Sequence, residues 1–536
     1  MKSRPTSLIR AVAIAGLLAA LETLIIAVPR RGWTLEDAML LWSSEWGVLA
    51  CVTMSVAVVT STTPMRPVKA KRWDPLSAVI GLAMLVCLVA VVGQHLTAPL
   101  NSDRASGADV LVITMDTTRA DALSVYGNTA VRTPNIDRLA RGGVVFEQAV
   151  ATAAQTGPSH LSILSGKYPF ETGVYANATP IRHVELLTRK LRNAGWLTSA
   201  FVSGYPLHHR FGFDDGFAVY DAEFDGAYGL VGGRILRLLR GTSGRERRGD
   251  HTVERAIRWL EAVNGPIFSW IHLYDPHGPY MAPAPFGGTL LSSSKGRLIR
   301  ASELPAYWPN SEKRDREQGE IEARYLEEIA WMDAQIGRIL AAYESARPDK
   351  TPMVILVADH GESYVEHGVI FDHGDDLYEP AMHIPLILSG GGAPRGIRST
   401  CLVSTVDIVP TIADTLGVEP LPTLGRSLKS AFAISGVCPE RYTYASTVGD
   451  RSTSPPIHHM IRADGAKLIR FSGRDSRYFD LSEDALEEKG LLPAEFGRPA
   501  LFSRQLELRL GQGSVPVERE LDDEVLQGLQ QLGYVD

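Results

Sequence analysis

Two short apolar runs, each followed directly by an acidic residue, constrain the fold of this 536-residue chain most strongly. The first is ADVLVITM at residues 108–115, followed by Asp116, and the second is MVILVA at residues 353–358, followed by Asp359 and His360. Apolar runs without alternation are typical of strands in a parallel sheet that is covered on both faces. Because functional groups gather at the carboxyl ends of such strands, the sequence predicts an α/β fold with these three polar side chains at its functional edge.

The residue types at these two strand ends favour a divalent metal site. Carboxylate oxygens and an imidazole nitrogen together suit several divalent ions, and the sequence does not choose among Ca, Mn, Mg and Zn. We therefore predict that Asp116, Asp359 and His360 bind a divalent metal ion as a cofactor.

A hydroxyl-bearing turn, QTGPSHLSILSG at residues 155–166, is the second informative stretch. Pro158 and Ser159 are typical of a first helical turn, which places Thr156 at a helix N-terminus, where free N–H groups and the helix dipole favour a phosphate or sulfate. On its own, the turn is also compatible with an ordinary helix cap. A bound cation would lower the pKa of the Thr156 hydroxyl, so Thr156 is a candidate both for nucleophile and for metal ligand.

Eight motifs between residues 116 and 374 carry a family resemblance that covers about residues 109–492. They are DTTRAD (116–121), TPNIDRLA (133–140), TGPSHLSILSG (156–166), FGFDDGF (211–217), DPHGPY (275–280), DHGE (359–362), EHG (366–368) and DHG (372–374). Together they resemble the sulfatase family of the alkaline phosphatase superfamily. The resemblance implies an α/β/α sandwich with a C-terminal antiparallel subdomain, and an ester-cleaving enzyme.

The same resemblance implies roles for the matched residues. Thr156 would attack phosphorus or sulfur in line and form a covalent ester, which water or a second alcohol then displaces. His160 stands where sulfatases usually have Arg, and would donate to a nonbridging oxygen or steady the nucleophile. His277 and His373 would bind the anion, protonate the leaving group or hold a second metal with Asp275.

His367, in the EHG motif, is a further candidate for binding the substrate. The substrate itself is expected to be a phosphate or sulfate ester of a glycan, a lipid headgroup or a small molecule.

Three departures from the family pattern bear on the reaction. Sulfatases make formylglycine from Cys or Ser at the position of Thr156, and a threonyl ester cannot collapse to an aldehyde. Thr117 stands where a second Asp is common, and the usual Gly-Lys-Trp-His segment is absent. We therefore expect a metal-dependent hydrolase or transferase of a phosphate-type ester. The alternatives are sulfate-ester hydrolysis without formylglycine, and a degenerate member that binds an anion without turnover.

The first hundred residues differ in composition from the rest. Apolar segments at residues 8–28, 46–63 and 76–93 have about the length needed to cross a bilayer. Basic residues before the first segment and between the second and third favour a cytoplasmic location for both of those stretches. The sequence thus predicts a multi-pass membrane region over residues 1–100, with the catalytic domain in the periplasm or outside the cell.

The remaining chain is expected to divide into a catalytic domain at residues 107–435 and a subdomain of antiparallel sheet and helix at 436–536. A net charge of −7 gives no reason to expect nucleic acid as a partner. Cys401 and Cys438 could pair as a disulfide or could remain two buried thiols.

Overall fold

An eight-stranded mixed sheet forms the centre of the protein. The structure is a computed structural model that describes residues 107–529, apart from 225–245, 291–311, 370, 433–436, 450–455, 464, 495, 520, 523–524, 527–528 and the side chains of 312–317. The strands are β1 (Val110–Met115), β2 (Gly143–Val150), β3 (Leu197–Phe201), β4 (Val219–Asp221), β5 (Ile267–Leu273), β6 (Met353–Ala358), β7 (His383–Ser389) and β8 (Ile397–Ser404). Their spatial order is β4-β3-β5-β1-β6-β7-β2-β8, and β7 is the strand that runs antiparallel to its neighbours.

Both predicted apolar runs are central, neighbouring strands. Every residue of β1, β5 and β6 is buried. In the parallel register, Met115 pairs with Leu273 of β5 on one side and with Ala358 of β6 on the other. The residues that follow these strands therefore emerge side by side at one edge of the sheet, as the sequence predicts.

Helices cover both faces of this sheet, which explains why the central strands are apolar without alternation. They are α1 (Pro134–Arg141), α2 (Thr156–Ser165), α3 (Pro169–Thr172), α4 (Leu187–Asn193), α5 (Gly249–Ala262), α6 (Glu312–Ala346), α7 (Glu379–Met382), α8 (Ile408–Leu416) and α9 (Arg498–Leu510). Helices α2, α4 and α8 pack on one face, and α1, α5 and α6 pack on the other. The predicted α/β/α arrangement is confirmed.

A second sheet of four antiparallel strands follows in the chain. Its strands are β9 (Thr443–Val448), β10 (Ile457–Ala463), β11 (Ala466–Arg470) and β12 (Arg477–Asp480), in the order β12-β11-β10-β9. The β10–β11 hairpin turns at Gly465, which has a φ of 67°. This is the C-terminal antiparallel sheet that the sequence predicts, whereas the division of domains at residue 435 stays a prediction.

The predicted membrane localisation requires correction. Within the described residues, no helix is both long enough and apolar enough to cross a bilayer. Even α6, with 35 residues, is rich in charged side chains. The prediction of a multi-pass membrane protein with an external catalytic domain is therefore wrong for the part of the chain that the structure describes. The segments at 8–28, 46–63 and 76–93 lie outside the described residues.

The two downstream cysteines, whose state the sequence leaves open, form a disulfide between Cys401 and Cys438. Cys401 is buried in edge strand β8, whereas Cys438 is exposed in the segment that leads to β9. The bond closes a loop with a sequence separation of 37 residues. It therefore restrains the chain where the main sheet passes into the second sheet.

Removing this bond should destabilise the protein measurably. For the double variant Cys401→Ser/Cys438→Ser, we expect the free energy of unfolding to fall by about 2–4 kcal/mol, because the unfolded chain regains the entropy of the open loop. Chemical denaturation with and without a reducing agent measures this. Reductant should destabilise the wild type and leave the double variant unchanged; equal stability of all four samples would contradict the expectation.

Candidate active site

The carboxylate of Asp116 is fully buried just beyond the end of β1, and one of its two oxygens is hydrogen-bonded to a histidine. Its Oδ2 lies 2.9 Å from Nε2 of His272, while its Oδ1 makes no hydrogen bond among the described residues. His272 Nδ1 accepts the backbone N–H of Ser203 at 3.3 Å, so its Nε2 carries the proton that is donated to Asp116. One oxygen of Asp116 is thus fixed by the protein, and the other remains for a ligand.

Asp359 and His360 show the same division of roles at the end of β6. Asp359 Oδ1 accepts the backbone N–H groups of His360 at 2.8 Å and Thr117 at 3.3 Å, whereas Oδ2 makes no hydrogen bond. His360 Nδ1 donates to the carbonyl of Gly361 at 2.9 Å, which leaves the lone pair on Nε2 without a hydrogen-bond partner in the described chain.

These three residues fit a divalent cation. One ligand atom from each of Asp116, Asp359 and His360 lies within 4.8 Å of the others, and all three side chains are buried. Two buried carboxylates at this separation repel each other unless a cation neutralises them. Burial raises the pKa of Asp116 to about 7, against the opposing effects of His360 and of a hydrogen bond from the Thr156 side chain. Burial and the charge of Asp116 likewise raise the pKa of Asp359.

Thr156 is the first residue of α2 and reaches this cluster through its hydrogen bond to Asp116. Few of the first-turn amides are left for an anion, however. Gly157 N–H donates to Oδ1 of Asn177 at 2.6 Å, Ser159 N–H donates to the carbonyl of Gln155 at 3.1 Å, and Pro158 has no N–H. At this helix end, the contribution of the backbone to anion binding is mainly the dipole.

His160 lies inside the first turns of α2, where both ring nitrogens are engaged. Nδ1 donates to the carbonyl of Thr156 at 2.8 Å, and Nε2 accepts from the hydroxyl of Thr114 at 3.0 Å. Thr114 in turn accepts from the indole N–H of Trp270 at 2.9 Å. Burial lowers the pKa of His160 to about 3, so the ring is neutral. Of the two predicted roles, this geometry supports steadying Thr156 rather than donating to a substrate oxygen.

His277 and His373 lie together beside the metal-binding residues. Their ring centroids are 5.0 Å apart, and the ring of His373 lies 4.6 Å from that of His360. His277 Nδ1 donates to the carbonyl of Gly278 at 2.8 Å, and burial holds the pKa of His277 well below its usual value. His373 Nδ1 lies 3.1 Å from Oε1 of Glu362. Both histidines are therefore placed to contact an ester at this site.

Two other candidates lie in different surroundings. Asp275 Oδ1 accepts the backbone N–H of Gly249 at 2.9 Å and the indole N–H of Trp331 at 3.0 Å, which supports a structural role at the start of α5. His367 is exposed and stacks on Tyr378, with ring centroids 3.6 Å apart. It lines a separate cavity of about 1000 Å³, whose described lining includes none of the three metal-binding residues.

Three residues of the site have no role assigned from the sequence: His272 and Asn177 lie outside the motifs, and Glu362 lies within DHGE. His272 lies within the otherwise apolar strand β5, opposite Thr114, and a histidine in such a strand is a signal that it needs a polar partner. Glu362 orients His373. Asn177 Nδ2 is buried beside the N-terminus of α2 and makes no hydrogen bond among the described residues. No pattern in the sequence around Asn177 predicts a role at the site, because the residue is recognised only through its contact with Gly157 in the folded chain.

Comparison with known proteins identifies the family. The family model of the sulfatases matches residues 108–418, which is more than half of the chain. The chain belongs to the sulfatase family. An N-acetylglucosamine-6-O-sulfatase of Bacteroides thetaiotaomicron is 24% identical over 493 residues, covering 75% of this chain and 84% of the relative. The multifunctional alkaline phosphatase superfamily protein PehA of Trinickia caryophylli is 26% identical over 398 residues, covering 60% and 76%.

Solved structures share the sulfatase fold. The phosphonate monoester hydrolase of Agrobacterium radiobacter superimposes with a TM-score of 0.56 at 22% identity, covering 79% of this chain and 96% of that one. A protein solved in complex with its substrate D-glucosamine-2-N,6-O-disulfate has a TM-score of 0.59 at 22% identity, covering 80% and 98%. The chain is accordingly a sulfatase-family hydrolase, and its relatives include enzymes named for sulfur esters and for phosphorus esters.

The binding of a metal ion to this sulfatase-family site should depend on pH. Asp116, with a pKa of about 7 before a cation binds, is protonated at lower pH, and a proton must then leave before the cation can enter. We expect the affinity for Mn²⁺ or Zn²⁺ to fall by roughly tenfold per pH unit below pH 7. Titration calorimetry between pH 5.5 and 8 measures this affinity. Asp116→Asn should remove the part of the pH dependence that comes from protonation of Asp116. A wild-type affinity that does not change over this range would contradict the expectation.

Removing His272 should weaken metal binding without removing a ligand. His272→Ala leaves Asp116 Oδ2 without its donor, so we expect the metal affinity to fall by roughly 10- to 100-fold, while His272→Gln keeps a donor and should lose less. Competition with a chromogenic chelator measures the affinity. The exposed residue His251 on α5 provides the control His251→Gln, which should bind like the wild type. Wild-type affinity in His272→Ala would refute this positioning role.

Proposed function

We propose that this sulfatase-family protein cleaves a phosphate-type ester, with Thr156 as the nucleophile and a divalent ion at Asp116, Asp359 and His360. The observation that carries the proposal is the position of Thr156 at the start of α2: Ser159 of the same turn donates to the carbonyl of Asp359 at 2.7 Å, and the Thr156 side chain opposes the rise in the pKa of Asp116. The candidate nucleophile therefore lies beside the candidate metal site. The ion would lower the pKa of the Thr156 hydroxyl and withdraw charge from the ester oxygens.

The residues of the chain supply orientation and charge compensation for the reaction. His160 donates to the carbonyl of Thr156 and fixes the first turn of α2, so the hydroxyl keeps one position. The unbonded Nδ2 of Asn177 can donate to a nonbridging oxygen of the ester. Because these groups are already ordered, they stabilise developing charge without reorganisation during the reaction.

The leaving group departs on the side of His277 and His373. His373 is oriented by Glu362, and in its protonated form it is suited to giving a proton to the departing alkoxide. Thr156 loses its hydroxyl proton as its oxygen bonds to phosphorus and the bond from phosphorus to the leaving alcohol breaks. Water then attacks phosphorus, the bond to Thr156 breaks, and a proton from that water restores the Thr156 hydroxyl as phosphate is released. A second alcohol in place of water would make the same site a transferase.

A threonine at position 156 favours cleavage of a phosphate-type ester over cleavage of a sulfate ester. A formylglycine hydrate releases sulfate by collapse to an aldehyde, whereas a threonyl ester has to be cleaved by a second attack at the central atom. The likeness to a phosphonate monoester hydrolase is consistent with phosphorus chemistry on this fold. Sulfate-ester hydrolysis by an unmodified Thr156 is the second candidate, and the sulfatases among the relatives favour it.

Replacing Thr156 tests the nucleophile directly. Thr156→Val keeps the shape and removes the hydroxyl, so we expect kcat for an aryl phosphate or phosphodiester to fall by at least roughly 10³-fold. Thr156→Ser keeps the hydroxyl and should retain measurable turnover. Peptide mass spectrometry should find a phosphate adduct on residue 156 in the wild type and Thr156→Ser, and no adduct in Thr156→Val.

The same samples separate the alternatives. An adduct that forms only from the aryl sulfate would favour the sulfatase reading, and turnover that survives in Thr156→Val would exclude Thr156 as nucleophile. Product that increases with an added alcohol, without more free phosphate, would indicate a transferase. Metal binding without turnover of any ester would favour an anion-binding member of the family.

A further inference from the structure

A second, smaller pocket lies away from the candidate active site. It has a volume of about 260 Å³ and lies against Tyr168, just beyond the C-terminal end of α2. Thr156 occupies the opposite end of that helix, whose ten residues span about 15 Å. The pocket is therefore separate from the Asp116, Asp359 and His360 cluster.

Positive charge dominates the lining of this pocket. Arg426, Arg441 and Arg509 line it, whereas Glu440 is the one carboxylate among the described lining residues. Arg441 is already neutralised, since its two terminal nitrogens contact the buried Asp407 at 2.6 and 3.0 Å.

The other two arginines form no salt bridge among the described residues, although burial raises the pKa of the Glu171 carboxyl and Arg509 is near enough to oppose that rise. Arg426 donates to the backbone carbonyl of Glu440 at 2.9 Å, and Arg509 donates to the amide oxygen of Gln512 at 3.4 Å. Arg426, which is exposed, and the half-buried Arg509 thus line the pocket while hydrogen-bonding to neutral oxygen atoms.

Buried donors in the same pocket lack acceptors. The Nε–H groups of Arg441 and Arg509 are buried and make no hydrogen bond among the described residues. A buried donor without a partner costs about 1–3 kcal/mol, and such groups in a folded protein call for an ion or water that completes them. A ligand that only accepts hydrogen bonds and carries negative charge would satisfy both donors and would be attracted by the arginines of the lining.

Three tyrosines form the walls beside these arginines. Tyr168 and Tyr444 pack edge to face with centroids 5.4 Å apart, and Tyr442 completes the wall. Tyr168 and Tyr444 are themselves buried, and Tyr168 is stacked on Phe170. The buried hydroxyl of Tyr168 makes no hydrogen bond among the described residues, so it is a further donor for a small anion. A pocket of about 260 Å³ has room for such an anion together with part of a group that carries it.

We propose that this pocket binds an oxyanion of the sulfate type, either as the free ion or as the sulfate group on a sugar. Binding here is independent of Thr156 and of the metal ion. For a hydrolase that acts on anionic esters, such a site would hold a second anionic group of the substrate or a released anion.

Binding can be measured by thermal unfolding of the full-length, metal-loaded protein. Sodium sulfate is compared with sodium chloride at equal ionic strength, and glucose 6-sulfate is compared with glucose. Removing two of the positive charges, in Arg426→Gln/Arg509→Gln, should weaken the binding of sulfate to this pocket by roughly tenfold or more, since each hydrogen bond to a charged group contributes about 1.5–3 kcal/mol. The exposed residue Arg504, also on α9, provides the control Arg504→Gln, which should respond like the wild type.

The two ligands distinguish the source of the anion. A dissociation constant at least tenfold lower for glucose 6-sulfate than for sulfate would show that the pocket also holds the sugar, and equal constants would show a site for the free ion. An identical response of the wild type and the double variant to both ligands would overturn the proposal.

Turnover of a small aryl ester should be unchanged in the double variant, because that reaction takes place at Thr156. A pocket that binds sulfate in a protein without esterase activity would therefore support this site and contradict only the proposed reaction.

Discussion

The site depends on two carboxylates that are buried side by side at the ends of neighbouring strands. Because Met115 pairs with Ala358, Asp116 and Asp359 follow at the same level of the sheet. Such a pair is unfavourable in apolar surroundings unless each oxygen finds a donor or a cation. Protein donors satisfy one oxygen of each carboxylate, and the two remaining oxygens share the cluster with Nε2 of His360. The strand register thereby determines where a divalent ion would bind.

A second set of hydrogen bonds, behind the metal-binding residues, fixes the side chains of the site to the strands of the sheet. The β1 residue Thr114 accepts from Trp270 of β5 and donates to His160 of α2, so one hydroxyl joins two strands and a helix. His272 does the same between Asp116 and the backbone of Ser203. Small errors in the position of a reacting group reduce catalysis strongly. Hydrogen bonds to central strands are well suited to prevent such errors, because those strands are fixed by packing on both faces.

Much of this arrangement could be predicted from the sequence, because it depends on local patterns. Uninterrupted apolar runs identify β1 and β6, and a parallel sheet brings their carboxyl ends together, so the metal-binding residues could be placed before any contact was known. His272 and Asn177 could not be placed in this way. His272 is 156 positions from Asp116 and Asn177 is 20 from Gly157, and neither spacing follows a helix or strand period. The membrane localisation was predicted from the length of three apolar segments and their basic flanks, and it is corrected by the finding that no helix among the described residues is long and apolar enough to cross a bilayer.

Two departures of this chain from the family pattern change the charge of the site in opposite directions. Thr117 in place of an acid removes one negative charge from the site, and His160 in place of Arg removes one positive charge, since burial lowers the pKa of His160 to about 3. The two changes have opposite signs, so the net charge of the side chains around Asp116 and Asp359 is the same as with the family residues. The backbone also adjusts: Thr117 has a φ of 49°, its N–H donates to Asp359, and its carbonyl accepts from Tyr325. Thr117 thus supports a ligand through its main chain, where an aspartate would supply one through its side chain. The residues at positions 117, 156 and 160 therefore differ together from the family pattern, and two of them change the charge of the site in opposite directions.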